Sequence, residues 1–156
     1  MAFITTQKKN AYAPPGAVQR YLNKISDPLL DRIDLHVEVT PISFDQMTSN
    51  RKSEGSTAIR NRVISARNRQ KLRFESQPAI HNNAMMPPQI VKNICSINAA
   101  GKILLKTAMD RLGLSARAYD RILKVARTIA DLAGKDDILI EHLAEAIQYR
   151  SLDREN

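Results

Sequence analysis

The sequence predicts a mainly α fold, and three observations carry that expectation. Residues 113–134 read as one long helix with both ends marked. Four other segments after residue 55 repeat apolar residues at the 3.6-residue period. Only residues 35–40 alternate as a strand does.

Taken in order, residues 1–15 are polar and end in Pro14-Pro15-Gly16, which reads as a flexible arm. Residues 17–25 form a short helix with Val18, Tyr21, Leu22 and Ile25 on one face. Asp27-Pro28 breaks it, because the residue before proline avoids the α region. A further helical turn follows over 29–33. Leu35, Val37 and Val39 then alternate with His36, Glu38 and Thr40. A lone strand leaves its backbone polar groups unsatisfied, so this one implies neighbours elsewhere. Residues 41–55 read as a linker, rich in Ser, Asn and charge.

The next helix runs over 56–74, with Ile59, Val63, Ala66 and Gln70 expected inward. Its other surface is densely basic: Arg60, Arg62, Arg67, Arg69, Lys71 and Arg73, preceded by Arg51 and Lys52, face the single acid Glu54. Residues 76–86 read as a loop. Pro87 and Pro88 start a helix to about Cys95, since a first turn tolerates proline. Asn98 caps a helix to about Arg111, with Ile103, Leu104, Ala108 and Met109 apolar. In the long helix Ser115 is the N-cap and Gly134 the left-handed stop. Ile122, Ala126, Ile129 and Ala133 make its apolar face, and Arg117, Arg121 and Lys124 stand on the other. Asp136 or Asp137 introduces a last helix over 140–150, with Ile140, Leu143, Ala144 and Ile147 on one face.

Composition bounds the function. The chain has 156 residues, 43% of them apolar, no Trp and a net charge of +8. A core of Leu, Ile, Val, Ala and Met is expected, and a polyanionic partner, nucleic acid or phosphate. The single cysteine, Cys95, excludes a disulfide framework and a Cys-based zinc cluster; between Ile94 and Ile97 it reads as a core residue. No window reaches the ~18 apolar residues of a membrane span, and the N-terminus lacks a signal-peptide centre, so a cytoplasmic protein with no membrane contact is expected.

Phosphate chemistry has few candidate residues. ATP hydrolysis needs a G-x-x-x-x-G-K-[ST] loop, and neither Gly101-Lys102 nor Gly134-Lys135 stands in one. The chain is therefore expected to be no enzyme on its own. Arg117 sits in the first turn of the long helix, where a guanidinium and the helix N-terminus can act on one phosphate; a solvated basic face is the plainer alternative. Arg60, Arg62, Arg67, Arg69, Lys71 and Arg73 are candidates for nucleic-acid contact, with steep salt dependence and little sequence preference; a solvated charged face is again the alternative. Only Phe74 is aromatic there, so base stacking is not suggested. His36, His81 and His142 lack the spacing of a metal site, and none is expected.

Two runs carry a family resemblance. Leu112-Gly-Leu-Ser-Ala-Arg-Ala-Tyr-Asp-Arg-Ile-Leu-Lys-Val-Ala-Arg-Thr-Ile-Ala-Asp-Leu, followed by His142-Leu-Ala-Glu-Ala-Ile-Gln-Tyr-Arg150, resembles the C-terminal part of the magnesium-chelatase-like AAA+ proteins of the ComM (YifB) type. Val18-Gln-Arg-Tyr-Leu-Asn-Lys-Ile-Ser-Asp-Pro-Leu-Leu-Asp-Arg-Ile-Asp-Leu-His-Val-Glu-Val39 resembles the same family upstream, in the expected order. The likeness covers about residues 16–154. It implies an AAA+ C-terminal helical lid over 56–154, preceded over 16–40 by a remnant of the ATPase core with the core's last strand. It implies that Arg32 is an arginine finger acting in trans and Arg117 the sensor-2 arginine. From spacing alone the favoured reading of Arg32 is an ion pair with Asp27, Asp31 or Asp34.

The resemblance also implies ATP and Mg2+ for the full-length assembly, and a hexameric DNA motor linked to branch migration in natural transformation. The partner would be an ATPase-core chain or a full-length homologue. The family's ATP-binding half is not in this sequence. Two departures stand out: no cysteine precedes the first matched run, and the loop His81–Met86 differs at Asn82 and Met85. The start is thus expected to be unrelated sequence, or an open reading frame beginning inside a gene. Half of a split motor, a stand-alone basic nucleic-acid-binding module and an inactive truncated product all remain open.

Overall fold

The computed structural model describes residues 53–150, together with residues 29, 32–37, 39, 41, 42, 44 and 48. The arm expected over 1–15 and the helix expected over 17–25 lie outside these residues. The order is α1 (Ser56–Arg73), a 3-10 turn (Asn83–Met85), α2 (Pro88–Ile94), α3 (Ala99–Leu112), α4 (Ala116–Leu132) and α5 (Ile140–Gln148). The fold is mainly helical, as expected.

Helix α4 is the hub. It packs against α1, the 3-10 turn, α2 and α5, and α3 closes on α5. Its ends follow from local chemistry. The Ser115 side chain accepts from the Ala118 N–H, and Gly134 takes φ +70° just past the last turn. Gly113 at φ +60° ends α3 and turns the chain directly into α4. The Asn98 side chain accepts from the Gly101 N–H at 2.8 Å and starts α3. Pro88 opens α2, where its missing N–H costs nothing.

The core gathers Phe74, Met86, Val91, Leu105, Ile122, Leu123, Leu143 and Ile147, with Cys95 among them. Each fully buried Leu or Ile contributes about 1.5–3 kcal/mol of transfer free energy. Ile122 and Ala126 face this core as their spacing predicts, whereas Ala133, at the helix end, is exposed.

Several expectations are corrected. Helix α1 buries Ala66 and Gln70, but Ile59 and Val63 are 42% and 45% exposed. All four lie on one face; the helix simply overhangs the body, and every residue of 56–65 is exposed. The last helix is not introduced by Asp136 or Asp137. Its N-cap is Leu139, whose N–H donates to Nδ1 of the buried His142 at 3.1 Å. The loop over 76–86 contains the 3-10 turn, with Asn83 and Met86 buried.

The strand expected over 35–40 is absent among the described residues. No second strand pairs with it among the described residues. Instead the His36 N–H donates to the Tyr149 carbonyl at 2.7 Å, one bond to a helix end in place of a ladder. Phe44 and Thr48, within the stretch read as a linker, are helical, and Thr48 Oγ1 donates to the Phe44 carbonyl.

Candidate nucleotide-sensing end and basic helix face

Two sets of candidate residues lie near opposite ends of helix α4. At ~1.5 Å per residue, its 17 residues separate the ends by about 25 Å. Arg117 stands at the N-terminal end, exposed, two residues past the Ser115 cap. The first-turn N–H groups there carry the partial positive charge that favours a phosphate oxygen.

Arg32 comes to the same end. Its N–H donates to the Leu29 carbonyl at 3.0 Å, closing a tight turn, and its side chain is exposed. Arg121, one helical turn beyond Arg117, donates from Nη1 to the Arg32 carbonyl at 2.7 Å and to the Asp34 carboxylate. Arg150, 1% exposed, donates from Nη1 to the Ile33 carbonyl at 2.5 Å. Of the acids that spacing offers to Arg32, Asp34 is thus engaged by Arg121. Neither Arg121 nor Arg150 stood out in the sequence as a tie to residues 32–34, because the partners are 89 and 117 residues away.

The basic helix lies at the other end. Its six candidate cations separate into three groups. Arg69 and Arg73 point inward. Arg73 donates from both Nη atoms to Asp131, at 2.8 and 2.5 Å, and from Nη1 to Asn83 Oδ1. Arg127 adds a second cation to Asp131 at 3.2 Å, and Asn83 Nδ2 donates to it at 2.8 Å. Burial alone would push the Asp131 carboxyl up, but these hydrogen bonds and the two guanidinium charges together hold it below the usual carboxylate range. Burial pulls the Arg127 guanidinium down, opposed by Asp131. Arg69 donates to Asp136 Oδ1 at 2.6 Å and to the Gly134 carbonyl at 2.9 Å. Asp136 lies three residues before the Leu139 cap and pairs with Arg69 instead. Arg127 also donates to the Lys135 and Asp136 carbonyls, holding the loop that follows α4. These two candidates, Arg69 and Arg73, therefore fasten α1 to α4.

Arg62 forms a two-pronged pair with Glu54, at 2.8 and 3.1 Å, on the surface. Arg60, Arg67 and Lys71 are exposed and form no ion pair among the described residues. Offsets of seven and eleven put them on one stripe, with Ile64 between, over about 16 Å of helix. Of the cations that sequence spacing placed opposite the apolar face of α4, Lys124 is also committed, donating to the Ala84 carbonyl at 3.0 Å.

A cavity of about 280 Å³ lies between α4, α5 and the Asp34–Leu35 segment, lined by Val125, Ile129, Leu132 and Tyr149 among others. Among the described residues no three His, Cys, Asp or Glu side chains group as metal ligands, and no helix is long and apolar enough to cross a membrane.

Residues 53–150 match the family model of the C-terminal region of magnesium chelatase subunit ChlI, and residues 2–47 match that of subunit ChlI itself. The second match takes in most of the start that was expected to be unrelated. The chain is 42% identical over 142 residues to the competence protein ComM of Haemophilus influenzae, covering 90% of this chain and 27% of that one. It is 39% identical over 142 residues to the protein YifB of Escherichia coli K12, with the same coverage. The chain thus spans about a quarter of the length of these curated relatives.

Proposed function

Because this chain belongs to the magnesium chelatase subunit ChlI family, we propose that it supplies the helical lid of an AAA+ ATPase whose nucleotide-binding core lies outside these residues. The observation that carries this reading is that the Arg32 turn is tied by its carbonyl to Arg121, one helical turn along α4 from Arg117. Charge builds on the γ-phosphoryl group during transfer, and a fixed guanidinium stabilises it with little rearrangement. Arg32 suits that role for a neighbouring subunit: its main chain is held on both sides while its side chain is exposed. Arg117 and the first turn of α4 would read the γ-phosphate and tilt the lid. ATP and Mg2+ are then substrates of the assembly, bound mainly by the partner core.

The name of the Haemophilus relative ties that protein to competence. For this chain, action on DNA, branch migration and a hexameric ring enter as parts of the proposal. Their support is the stripe of Arg60, Arg67 and Lys71, at the far end of α4 from the two nucleotide-facing arginines. A motor needs such separation between the site that burns nucleotide and the face that grips its track. Native mass spectrometry of the chain from its own cells tests the assembly. A hexamer-sized complex with a chain bearing a Walker loop supports the motor. Recovery of the chain alone, with salt-sensitive DNA binding, supports the stand-alone module instead.

A further inference from the structure

We infer that Arg121 is a positioning residue that makes the Arg32 turn travel with helix α4, so that the two arginines of the proposed site respond as one body. The inference rests on the proposed function for the role of Arg32, but the clasp itself is a property of this chain. Family matching places residue 32 in the ChlI model that ends at residue 47, and α4 in the C-terminal model that begins at residue 53. The hydrogen bonds cross that division. Over five residues, 32–36, the segment makes four ties to the helical body: the Arg32 carbonyl and the Asp34 carboxylate to Arg121, the Ile33 carbonyl to Arg150, and the His36 N–H to the Tyr149 carbonyl.

These ties differ in what they can transmit. Arg150 and Tyr149 close the end of α5 and anchor the segment to the lid as a whole. Arg121 ties it to α4 by side-chain hydrogen bonds, and it stands four residues from Arg117, on the same helix face. A phosphate that pulls on Arg117 tilts α4, and the Arg121 guanidinium then carries the Arg32 carbonyl with it. Because Nη1 bonds both the carbonyl and the carboxylate, the turn has little freedom to lag behind. A finger offered to one subunit is thereby linked to the nucleotide state sensed in another.

The test begins with the full chain alone. Amide hydrogen exchange should show the Arg32 and His36 N–H groups, which donate to the Leu29 and Tyr149 carbonyls, protected together with the last turn of α5. Arg121→Ala should speed exchange there about tenfold while α4 and α5 keep their protection, and Arg121→Lys should recover part of it. Unprotected amides at Arg32 and His36 in the native chain, or no change in Arg121→Ala, would overturn the clasp. If the Arg121 variants do not fold, Asp34→Asn reads the same tie from the exposed side. In the ATP-hydrolysing assembly, Arg121→Ala should lower kcat about tenfold with KM for ATP unchanged, and should add nothing to Arg32→Ala. A further loss in the double variant would show that Arg121 acts elsewhere. Full activity in Arg32→Ala would sink the finger reading, and the exchange result would still decide the clasp.

Discussion

Arg73 and Asp131 meet through both guanidinium nitrogens and both carboxylate oxygens, at 2.8 and 2.5 Å, with the acid fully enclosed. Arg127 and Asn83 complete the shell, so one carboxylate joins α1, the 3-10 turn and α4. Breaking such a pair from one side leaves a buried charge without its partner. Asp131→Asn is expected to cost about 3–5 kcal/mol in urea unfolding.

The same site fixes an acid limit. The Asp131 carboxyl lies below its ordinary value when folded, so the unfolded chain binds the proton more tightly. Its contribution is therefore complete above about pH 4 and is lost as the pH falls through the folded value. Unfolding free energy measured between pH 6 and pH 3 should decline in the native chain. Most of the Asp131 share of that slope should vanish in Asp131→Asn.

Cys95 sets a limit on the alkaline side. Burial pushes its thiol from 9.0 up to about 11, against the pull of Arg127 and Arg73. Folding then holds the proton, so stability is complete below pH 9 and falls as the pH rises toward 11. The expected loss is on the order of 2 kcal/mol. Lysines titrate in the same range, so the slope should be compared with that of Cys95→Ala. Equal slopes would mean that the thiol is not enclosed.

The overhang of α1 makes Val63 and Leu143 a matched pair. Val63 is 45% exposed and Leu143 is fully buried. Leu143→Ala should cost about 2–5 kcal/mol, through lost burial and the cavity left behind. Val63→Ser should change the stability of the chain by less than about 0.5 kcal/mol. A large effect at Val63 would place the first turns of α1 against the body.

For DNA, only the outward cations should count. Neutralising about three phosphates with Arg60, Arg67 and Lys71 gives a slope of log K against log salt of about −3 on duplex DNA. Each change to Ala at these positions should reduce that slope by about one, at similar cost for any sequence. Arg73→Ala should lower stability instead and leave the slope unchanged in the folded fraction.

These residues also show what the sequence could tell. The ends of α3 and α4 were legible because Asn98, Ser115 and Gly134 act on backbone a few residues away. Asp136 is not the cap because the helix begins only after Leu139, and it pairs instead with Arg69, far upstream. A run of cations is visible in sequence, but which members turn inward depends on where Asp131 arrives in the fold. The period of Ile59, Val63, Ala66 and Gln70 defines one face, but only Ala66 and Gln70 of it are buried, because where the body beneath that face ends is not encoded locally. Residues 35–39 had the alternation of a strand, and alternation cannot supply a neighbouring strand.

The most direct test of the central reading is ATP turnover by the complex that this chain forms with a Walker-bearing core. The lid-and-finger account predicts that adding the chain raises kcat. It further predicts that Arg32→Ala removes that gain, about a thousandfold or more for a lost finger, while native mass spectrometry still finds the complex assembled. A complex that hydrolyses ATP equally well with Arg32→Ala would contradict it.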